Sequence, residues 1–418
     1  MNKIIYTLAT KAWFLLVKSV KPFNNRARQL VEGQKGLLEK YEAYRKSTSK
    51  RSLWFHVSSL GEFEQGRPIM EALKKEYPDR NLVVTFFSPS GYELKKNDPL
   101  CDAVFYLPFE SKYNAKFVLT CLNPEIAVWI KYDFWYYYLR VLHKYKIPVF
   151  LCAAQFRKSQ AFFKPYGRFQ RKILKQFNYI FCQNQTTKNL LDSIGLTKSM
   201  VTGDNRYDRV YQTLQEAETL PLIEKFKGTD FLLIAGSSYE REERILEGVF
   251  AKLFCSFKII FAPHFVDQAH IQSIEKRFGN ISILYSQCSN ETDFTGKKIL
   301  IIDSIGLLAN VYRYGNAAFI GGGFKHNGLH NTLEAATFGM PICFGPVVKR
   351  FPEAYDLINA GVATIVNDKN DVLNWLQKLV CDKIYCEEIA IKSRAFISVH
   401  LGATKKVVES IKAAIGNR

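Results

Sequence analysis

Residues 317–346 read AAFIGGGFKHNGLHNTLEAATFGMPICFGP. The segment combines a short apolar strand, a loop with three consecutive glycines, and a short helix that Gly339 ends and Pro341 prevents from resuming. A glycine-rich loop that leads into a helix exposes backbone amides and can hold a phosphate. The segment therefore predicts an α/β domain in which this loop makes room for a nucleotide phosphate.

Two series of short apolar runs alternate with helical patterns along the chain. Runs this apolar are typical of parallel strands covered on both faces. We therefore predict two doubly wound domains that face each other across a cleft, with ligands beyond the carboxyl ends of the strands. The runs of the first series are 53–57, 82–87, 103–108, 126–130, 149–154 and 179–184, and those of the second are 231–237, 258–264, 281–286, 298–303, 317–323, 341–346 and 363–368.

A length of 418 residues with 47% hydrophobic composition suits two domains. We expect an amino-terminal helix and lead-in over 1–35, a first domain over 36–207 and a second over 229–418. The polar segment 208–228 contains Pro221 but no strand pattern, so we assign it as the linker. A return of the last helix to the first domain is left open.

The chain is strongly basic, with 58 Lys and Arg against 39 Asp and Glu and a net charge of +19. This balance favours binding of phosphate groups, whether in a nucleotide, a nucleic acid or an anionic lipid surface. The nine cysteines form no CxxC pair, which indicates reduced residues in a cytosolic compartment.

The first twenty residues, MNKIIYTLATKAWFLLVKSV, predict an amphipathic helix. Lys3, Lys11 and Lys18 interrupt the apolar run, so it falls short of the about 20 residues needed to cross a bilayer. A narrow polar sector on an apolar helix is typical of a helix in a membrane interface. A helix packed on the protein's own core fits the pattern equally well.

The segment HVSSLGEFEQGRP, residues 56–68, places an acidic residue after a strand. Gly61 allows a tight turn, and we expect a helix to open near Pro68. Glu62 would then face the cleft, where it could take a proton from an attacking hydroxyl as a general base. Glu64 qualifies on composition alone, and a solvated surface acid is the plain alternative.

Two further segments carry candidate nucleotide contacts. In 234–243, Gly-Ser-Ser lies between a strand and a helix and can bind phosphate, or a serine can simply cap the helix. Glu334 can accept hydrogen bonds from ribose hydroxyls, or it can form a capping box with Asn331. Residues 155–177 interleave basic and aromatic side chains, which suits a phosphorylated glycolipid, a membrane surface, a nucleic acid or merely a solvated helix face.

Together these segments resemble the 3-deoxy-D-manno-octulosonic acid (Kdo) transferase family, which transfers Kdo to lipid A. SSLGE at 58–62 is similar to the family's S-V-G-E signature, and 321–346 is similar to its glycine-histidine-asparagine-glutamate block. Further matches follow in the family's order at 202–208, 235–243 and 301–308. The resemblance covers nearly the whole chain.

The resemblance implies a GT-B fold and an inverting glycosyltransferase that needs neither metal nor cofactor. It implies transfer of Kdo from CMP-Kdo to a lipid A precursor in lipopolysaccharide synthesis, at the anionic cytoplasmic face of the inner membrane and without nucleic acid. Glu62 would be the base. Donor binding would fall to Gly236, Ser237, Ser238, His264, Gly322, Gly323, Lys325, Asn327, Gly328, His330, Asn331 and Glu334, and acceptor binding to Arg67, Lys131, Asp133 and Arg157.

The chain departs from the family pattern at three places. Where the family has M-E-T-E-L-W, this chain has IKYDFW at 130–135, so Lys131 replaces an acid while Asp133 keeps one. The family's A-P-R-H is A-P-H-F here, which places His264 where a nucleotide-contacting arginine is expected. Its N-A-R segment becomes A-A-Q-F-R, and Arg157 is the nearest cation.

Two alternatives remain beside this interpretation. Another GT-B enzyme, a UDP-sugar transferase or epimerase, would share the glycine loop and the ribose glutamate but not SSLGE. A non-catalytic nucleic-acid-binding protein would use 155–177 as a basic aromatic surface, but it would leave the two nucleotide-type turns without a role.

Overall fold

The computed structural model describes residues 3–252, 257–324 and 328–416. The chain divides into two compact units, one of Met1–Arg209 with Leu401–Arg418 and the other of Val210–His400. Each unit contains a seven-stranded parallel sheet with helices along the connections. The predicted α/β class with two Rossmann-like sheets is confirmed.

The sheet of the first unit reverses its strand order between β1 and β4, giving the order β3-β2-β1-β4-β5-β6-β7. All residues of β1, β2, β4 and β5 are buried, as expected for parallel strands covered on both faces. The strands are β1 Ser52–Val57, β2 Asn81–Phe86, β3 Ala103–Tyr106, β4 Pro124–Ile130, β5 Val149–Ala154, β6 Tyr179–Cys182 and β7 Ser199–Val201.

Helices of the first unit pack on both faces of this sheet. On one face Trp54 and Trp129 pack edge to face, 5.0 Å apart. On the other face Phe63 lies in a cluster with Val407 and Ile411, because the last helix returns to this unit and packs against α4. The helices are α1 Lys3–Val20, α2 Asn25–Gly33, α3 Leu37–Ser47, α4 Leu60–Glu76, α5 Pro89–Lys95, α6 Lys112–Leu122, α7 Tyr136–Lys144, α8 Arg168–Leu174, α9 Gln185–Asp192 and, at the carboxyl end, α19 Ala403–Gly416.

The second unit has the strand order β10-β11-β9-β8-β12-β13-β14. Helix α10, Asn205–Glu216, leads into it from the first unit. Its strands are β8 Phe231–Ser238, β9 Phe257–Pro263, β10 Ser282–Leu284, β11 Ile299–Ile301, β12 Ala317–Ile320, β13 Ile342–Phe344 and β14 Ala363–Ile365. Its helices are α11 Pro221–Lys227, α12 Glu240–Phe250, α13 Gln268–Phe278, α14 Leu308–Val311, α15 Thr332–Thr337, α16 Pro352–Asn359, α17 Lys369–Cys381 and α18 Lys383–Val399.

One expectation about the helix after β1 was wrong. The helix does not open near Pro68 but begins at Leu60, so Glu62 lies in its first turn rather than in a preceding loop. Ser59 has extended backbone angles and accepts a hydrogen bond from the amide of Glu62, which makes it the N-cap. Pro68 lies inside the helix, and the capping serine rather than the proline sets the helix start.

Helix α1 packs against the first unit through its more polar side. The Tyr6 hydroxyl donates to Glu110, Thr7 Oγ1 lies 2.7 Å from the Tyr137 hydroxyl, and the Phe14 ring stacks on Phe109 at 4.0 Å. The opposite side leaves large apolar side chains exposed, among them Ile4, Ile5, Leu8, Leu15 and Leu16. Within the described residues, no helix is long and apolar enough to span a membrane.

Replacing Ile411 with Ala should destabilise the first unit by about 2–4 kcal/mol, because this fully buried side chain fills the core under α4. Four of the five tryptophans lie in the first unit, so denaturant unfolding followed by tryptophan fluorescence reports mainly on it. Ile391→Ala is the matched control, because Ile391 on α18 is 58% exposed and its loss should cost under about 0.5 kcal/mol. Equal unfolding midpoints for the two variants would contradict the placement of α19.

Candidate active site

The amino terminus of α4 places an acid at the carboxyl end of β1. The Ser59 hydroxyl lies 3.4 Å from the amide nitrogen of Glu62, and the Ser58 amide donates a hydrogen bond to the Glu62 carboxylate. The carboxylate therefore turns back toward the strand end instead of extending into water. Negative charge is also favoured in the first turn of a helix.

Glu62 is only 8% exposed, and its protonation reflects this burial. The pKa of Glu62 is raised to about 7, mainly by burial and also by the charge of Asp133, against the opposing effects of the Ser58 amide and Lys131. A carboxyl group that titrates near neutral pH is suited to accept a proton from a hydroxyl.

The loop after β4 lies beside Glu62 because β4 is the neighbour of β1. The parallel register pairs His56 with Trp129, so both strands end at the same level. Asp133 Oδ2 lies 3.1 Å from His56 Nε2 and accepts a hydrogen bond from the Ser58 hydroxyl. Burial alone would raise the pKa of Asp133, but the hydrogen bonds and charge of His56, with Ser58 and Trp135, hold it below its usual value.

The four residues predicted for acceptor binding do not all lie together. Lys131 and Asp133 act on Glu62 by charge, and Lys131 adopts a left-handed backbone with φ of 63°. Arg157 lies near Tyr132, the residue before Asp133, and its positive charge acts on the Tyr132 hydroxyl. Arg67 lies farther along α4, where its guanidinium donates to Glu71 and Asp98 at 2.8 Å each.

In the second unit, the loops after β9, β8 and β12 are neighbours, because these strands are adjacent in the sheet. The glycines of the 321–323 loop are required by close packing. A Cβ atom at Gly321 would lie 2.0 Å from the Ser237 carbonyl oxygen, and one at Gly323 would lie 2.5 Å from the Gly345 nitrogen. Gly322 has φ of +86°, and its amide donates to Glu242 at 2.9 Å.

The turn after β8 is held by a buried acid. The Ser238 hydroxyl donates to Glu243, which also contacts His270 and Arg277 at 2.9 and 3.2 Å. Gly236 lies against the Tyr312 hydroxyl, where a Cβ atom would approach to 2.0 Å. Ser237 has φ of 51°, which is an unusual backbone conformation for a residue with a side chain.

Sequence reasoning missed Tyr239, whose side chain contacts both predicted histidines, His264 and His330. Its ring centroid lies 5.0 Å from that of His264 and 5.6 Å from that of His330, and its hydroxyl lies 3.0 Å from His330 Nε2. Burial, with a contribution from His264, lowers the pKa of His330 to about 4, so this imidazole is neutral at pH 7. Its position directly after Gly-Ser-Ser was the one available signal for Tyr239.

Asn331 caps α15 through a variant of the expected capping box. Its Oδ1 accepts from the Leu333 amide at 3.1 Å, and its Nδ2 donates to Glu334 Oε1 at 2.8 Å. Gly328, with φ of +104°, precedes this cap. Lys325 and Asn327 lie outside the described residues. In the described part of the chain, no three His, Cys, Asp or Glu side chains lie together as potential metal ligands.

The fold of this chain is similar to that of solved enzymes, among them a UDP-GlcNAc 2-epimerase. UDP-GlcNAc 2-epimerase from Neisseria meningitidis aligns with a TM-score of 0.61 and 16% identity over 86% of this chain and 99% of that chain. Likeness at this identity concerns the fold, and with the two Rossmann-like sheets it confirms the predicted GT-B class. The chain is a glycosyltransferase, as its sequence relatives indicate.

Residues 35–209 match the family model described as 3-deoxy-D-manno-octulosonic-acid transferase. Enzymes of that name from Aquifex aeolicus and Chlamydophila psittaci are each 25% identical to this chain. The alignment with the Aquifex enzyme covers 83% of this chain and 90% of that enzyme. The alignment with the Chlamydophila enzyme covers 76% of this chain and 75% of that enzyme. The predicted resemblance to the Kdo transferase family is thereby confirmed.

Replacing Glu62 with Gln should stabilise the protein above neutral pH. Because the pKa of Glu62 is raised from 4.5 to about 7, the folded state binds this proton more tightly than the unfolded state. Stability contributed by this group is therefore lost as the pH rises from about 4.5 to about 7. Gln removes that loss, so the free energy of unfolding should rise by about 1–3 kcal/mol at pH 8 and remain unchanged near pH 4.

Denaturant unfolding at the two pH values measures this difference. Glu64→Gln is the matched control, since Glu64 lies on the same helix but is more exposed and forms ion pairs with Lys95 and Arg209. A Glu62→Gln variant that is less stable than the parent at pH 8 would contradict the burial of an ionisable Glu62.

Proposed function

We propose that this protein transfers Kdo from CMP-Kdo to a lipid A precursor in lipopolysaccharide synthesis, with inversion at the anomeric carbon and without a metal ion. The observation that carries the proposal is Glu62, a buried acid with a pKa of about 7 in the SSLGE segment of the Kdo transferase domain. The relatives from Aquifex aeolicus and Chlamydophila psittaci are named 3-deoxy-D-manno-octulosonic acid transferase, which supports Kdo as the transferred group.

In the proposed reaction, the Glu62 carboxylate takes the proton from a sugar hydroxyl of the acceptor. The hydroxyl oxygen forms a bond to the anomeric carbon of Kdo while the bond from that carbon to the phosphate oxygen of CMP breaks. CMP leaves with the electron pair, and the proton stays on Glu62 until solvent removes it. A pKa near 7 keeps a substantial fraction of Glu62 ionised at neutral pH and leaves it basic enough to accept the proton.

For the donor we assign the carboxyl edge of the second sheet. The loops that follow β8 and β12 are neighbours at this edge, and we assign to them the phosphate of CMP, whose negative charge they would stabilise as CMP departs. The amides of Gly321 and Gly322 are engaged within the protein, by the Gly236 carbonyl and by Glu242, so hydrogen bonds to the phosphate would come from other groups of these loops. Glu334 is assigned to the ribose. His264 occupies the place of the family's arginine, and with Tyr239 and His330 it offers aromatic faces and hydrogen-bonding groups in place of a guanidinium.

Glu62→Gln should lower kcat by at least about 100-fold, because the amide cannot accept the proton. The dissociation constant for CMP should stay unchanged, since donor binding is assigned to the second unit. For the parent enzyme, kcat should rise with pH through about 7 as Glu62 ionises. Product masses after incubation with CMP-Kdo and a lipid A precursor provide the assay, and EDTA should leave the rate unchanged.

Glu64→Gln is again the control and should retain transfer. Full turnover by Glu62→Gln would remove Glu62 from the role of base. Binding of UDP in preference to CMP would favour the alternative of a UDP-sugar enzyme. Salt-dependent binding of RNA or DNA without any binding of CMP would favour a nucleic-acid-binding protein.

We further propose that the enzyme lies on the cytoplasmic face of the inner membrane through α1. Ile4, Leu8 and Leu15 share the outer side of this helix and are 69%, 61% and 67% exposed. Lys11 and Lys18 lie along the edge of the same side, where they would meet anionic headgroups. Helix α8 contacts α1 through Phe169 and Tyr6, and its exposed basic residues, Arg168 and Lys172, are assigned to the same membrane contact.

Changing Ile4, Leu8 and Leu15 together to Gln should weaken binding to vesicles containing anionic lipid by at least about tenfold, because about 1.5–3 kcal/mol is lost for each apolar side chain no longer buried. Co-sedimentation measures the effect, and the residual binding should be abolished by salt. The matched control changes Ile384, Ile391 and Val399, which are similarly exposed on the second unit. Equal sedimentation of both triple variants would refute the role of α1.

A further inference from the structure

Ser58 connects the two acidic groups of the first unit. Its backbone amide donates a hydrogen bond to Glu62 Oε2, and its side-chain hydroxyl donates one to Asp133 Oδ2. One residue at the end of β1 therefore holds a carboxylate on α4 with its main chain and a carboxylate from the loop after β4 with its side chain.

Asp133 is fixed from its other side by a histidine within the sheet. His56 is fully buried in β1, and its Nε2 lies 3.1 Å from Asp133 Oδ2. His56 Nδ1 lies 2.9 Å from the Thr85 hydroxyl, which also accepts from Trp54 Nε1 at 2.9 Å. This chain of contacts joins Asp133 to two fully buried strands, β1 and β2.

We propose that Asp133 is a positioning residue for Glu62, acting through Ser58, rather than a ligand for the acceptor. The His56 and Ser58 hydrogen bonds keep Asp133 ionised and in place. Its fixed negative charge opposes ionisation of Glu62, while Ser58 fixes the orientation of the Glu62 carboxylate. The inference rests on the proposed role of Glu62 as the base.

Other charged groups around this pair set the size of the effect. Lys131 opposes Asp133, since its positive charge favours ionised Glu62. The Tyr132 hydroxyl interacts electrostatically with Glu62, and around Tyr132 lie the charges of Arg157, Arg206 and Asp204. Farther along α4, Arg67 is engaged by Glu71 and Asp98. Asp133 differs from these groups because it carries a negative charge that acts on Glu62 and also shares a hydrogen-bonding partner with it, Ser58.

Infrared difference spectroscopy on the whole protein can follow the titration of Glu62, with Glu62→Gln used to identify its carboxyl band. In Asp133→Asn, which keeps the shape and an acceptor for Ser58 but removes the charge, the midpoint should fall by about one pH unit. The pH dependence of kcat should shift downward with it. Asp133→Glu should restore the midpoint of the parent.

Ser58→Ala separates orientation from charge. In this variant the backbone amide at position 58 still donates to Glu62, and Asp133 keeps its charge. The titration midpoint should therefore stay, while kcat falls by roughly tenfold to a hundredfold with little change in KM. Ser111→Ala is the matched control, since it likewise removes a serine hydroxyl and only the cap of another helix, α6, where Ser111 accepts from the Asn114 amide at 3.0 Å. It should lower the melting temperature and leave both the midpoint and kcat at the plateau close to those of the parent.

The outcomes distinguish this inference from the proposed function. An unchanged Glu62 midpoint in Asp133→Asn would overturn the inference, as would a raised KM for the acceptor with unchanged kcat, which indicates acceptor binding. If Glu62→Gln retains full transfer, Glu62 is not the base and the proposed mechanism fails. The shift of the Glu62 titration midpoint in Asp133→Asn is measured without substrate. Its outcome therefore does not depend on the transfer activity of Glu62→Gln.

Discussion

The hydrogen-bonded pairing of β1 with β4 is the constraint on which the candidate site of the first unit depends. Parallel strands in this register end at the same edge, so the residues that follow them must share the space beyond it. The strand order reverses at this pair, and helices therefore leave it toward opposite faces. This opens room for Ser58, Glu62 and Asp133 to meet without interruption by a crossing helix.

The two acids at this edge differ in protonation because they differ in partners. Asp133 receives hydrogen bonds from His56 and Ser58, which outweigh its burial and lower its pKa. Glu62 receives mainly the Ser58 amide, which does not offset its burial, and its pKa is raised. Asp133 is thus held in its charged form, and Glu62 titrates near neutral pH. This arrangement lowers the stability of the protein at high pH and suits proton transfer by Glu62.

Much of the fold could be predicted because parallel strands buried on both faces appear as apolar runs. Strand β7 was not predicted from an apolar run, because it is a three-residue edge strand that follows a polar stretch. The predicted start of α4 is wrong because proline is common in the first turn of a helix, whereas here Ser59 provides the cap and Pro68 lies inside the helix. Glu62 could be singled out from its segment, but its link to Asp133 runs through the hydroxyl of Ser58, which lies 75 positions before Asp133, and no local pattern encodes such a contact.

Helix α1 shows why an amphipathic pattern does not by itself reveal which side faces the protein. The more polar side packs inward because Glu110, itself buried with a pKa raised to about 7, needs the donors that Tyr6 and the Tyr137 amide supply. The apolar side is consequently left outside, although contiguous exposed apolar surface is costly in water. The helix thus packs on the protein's own core through one side, which is one of the two alternatives of the sequence pattern, and its other side exposes the apolar residues on which the proposed membrane contact rests. An interface that offers hydrocarbon beside anionic headgroups would meet both its leucines and its lysines, which is the physical reason for assigning this side to a membrane surface.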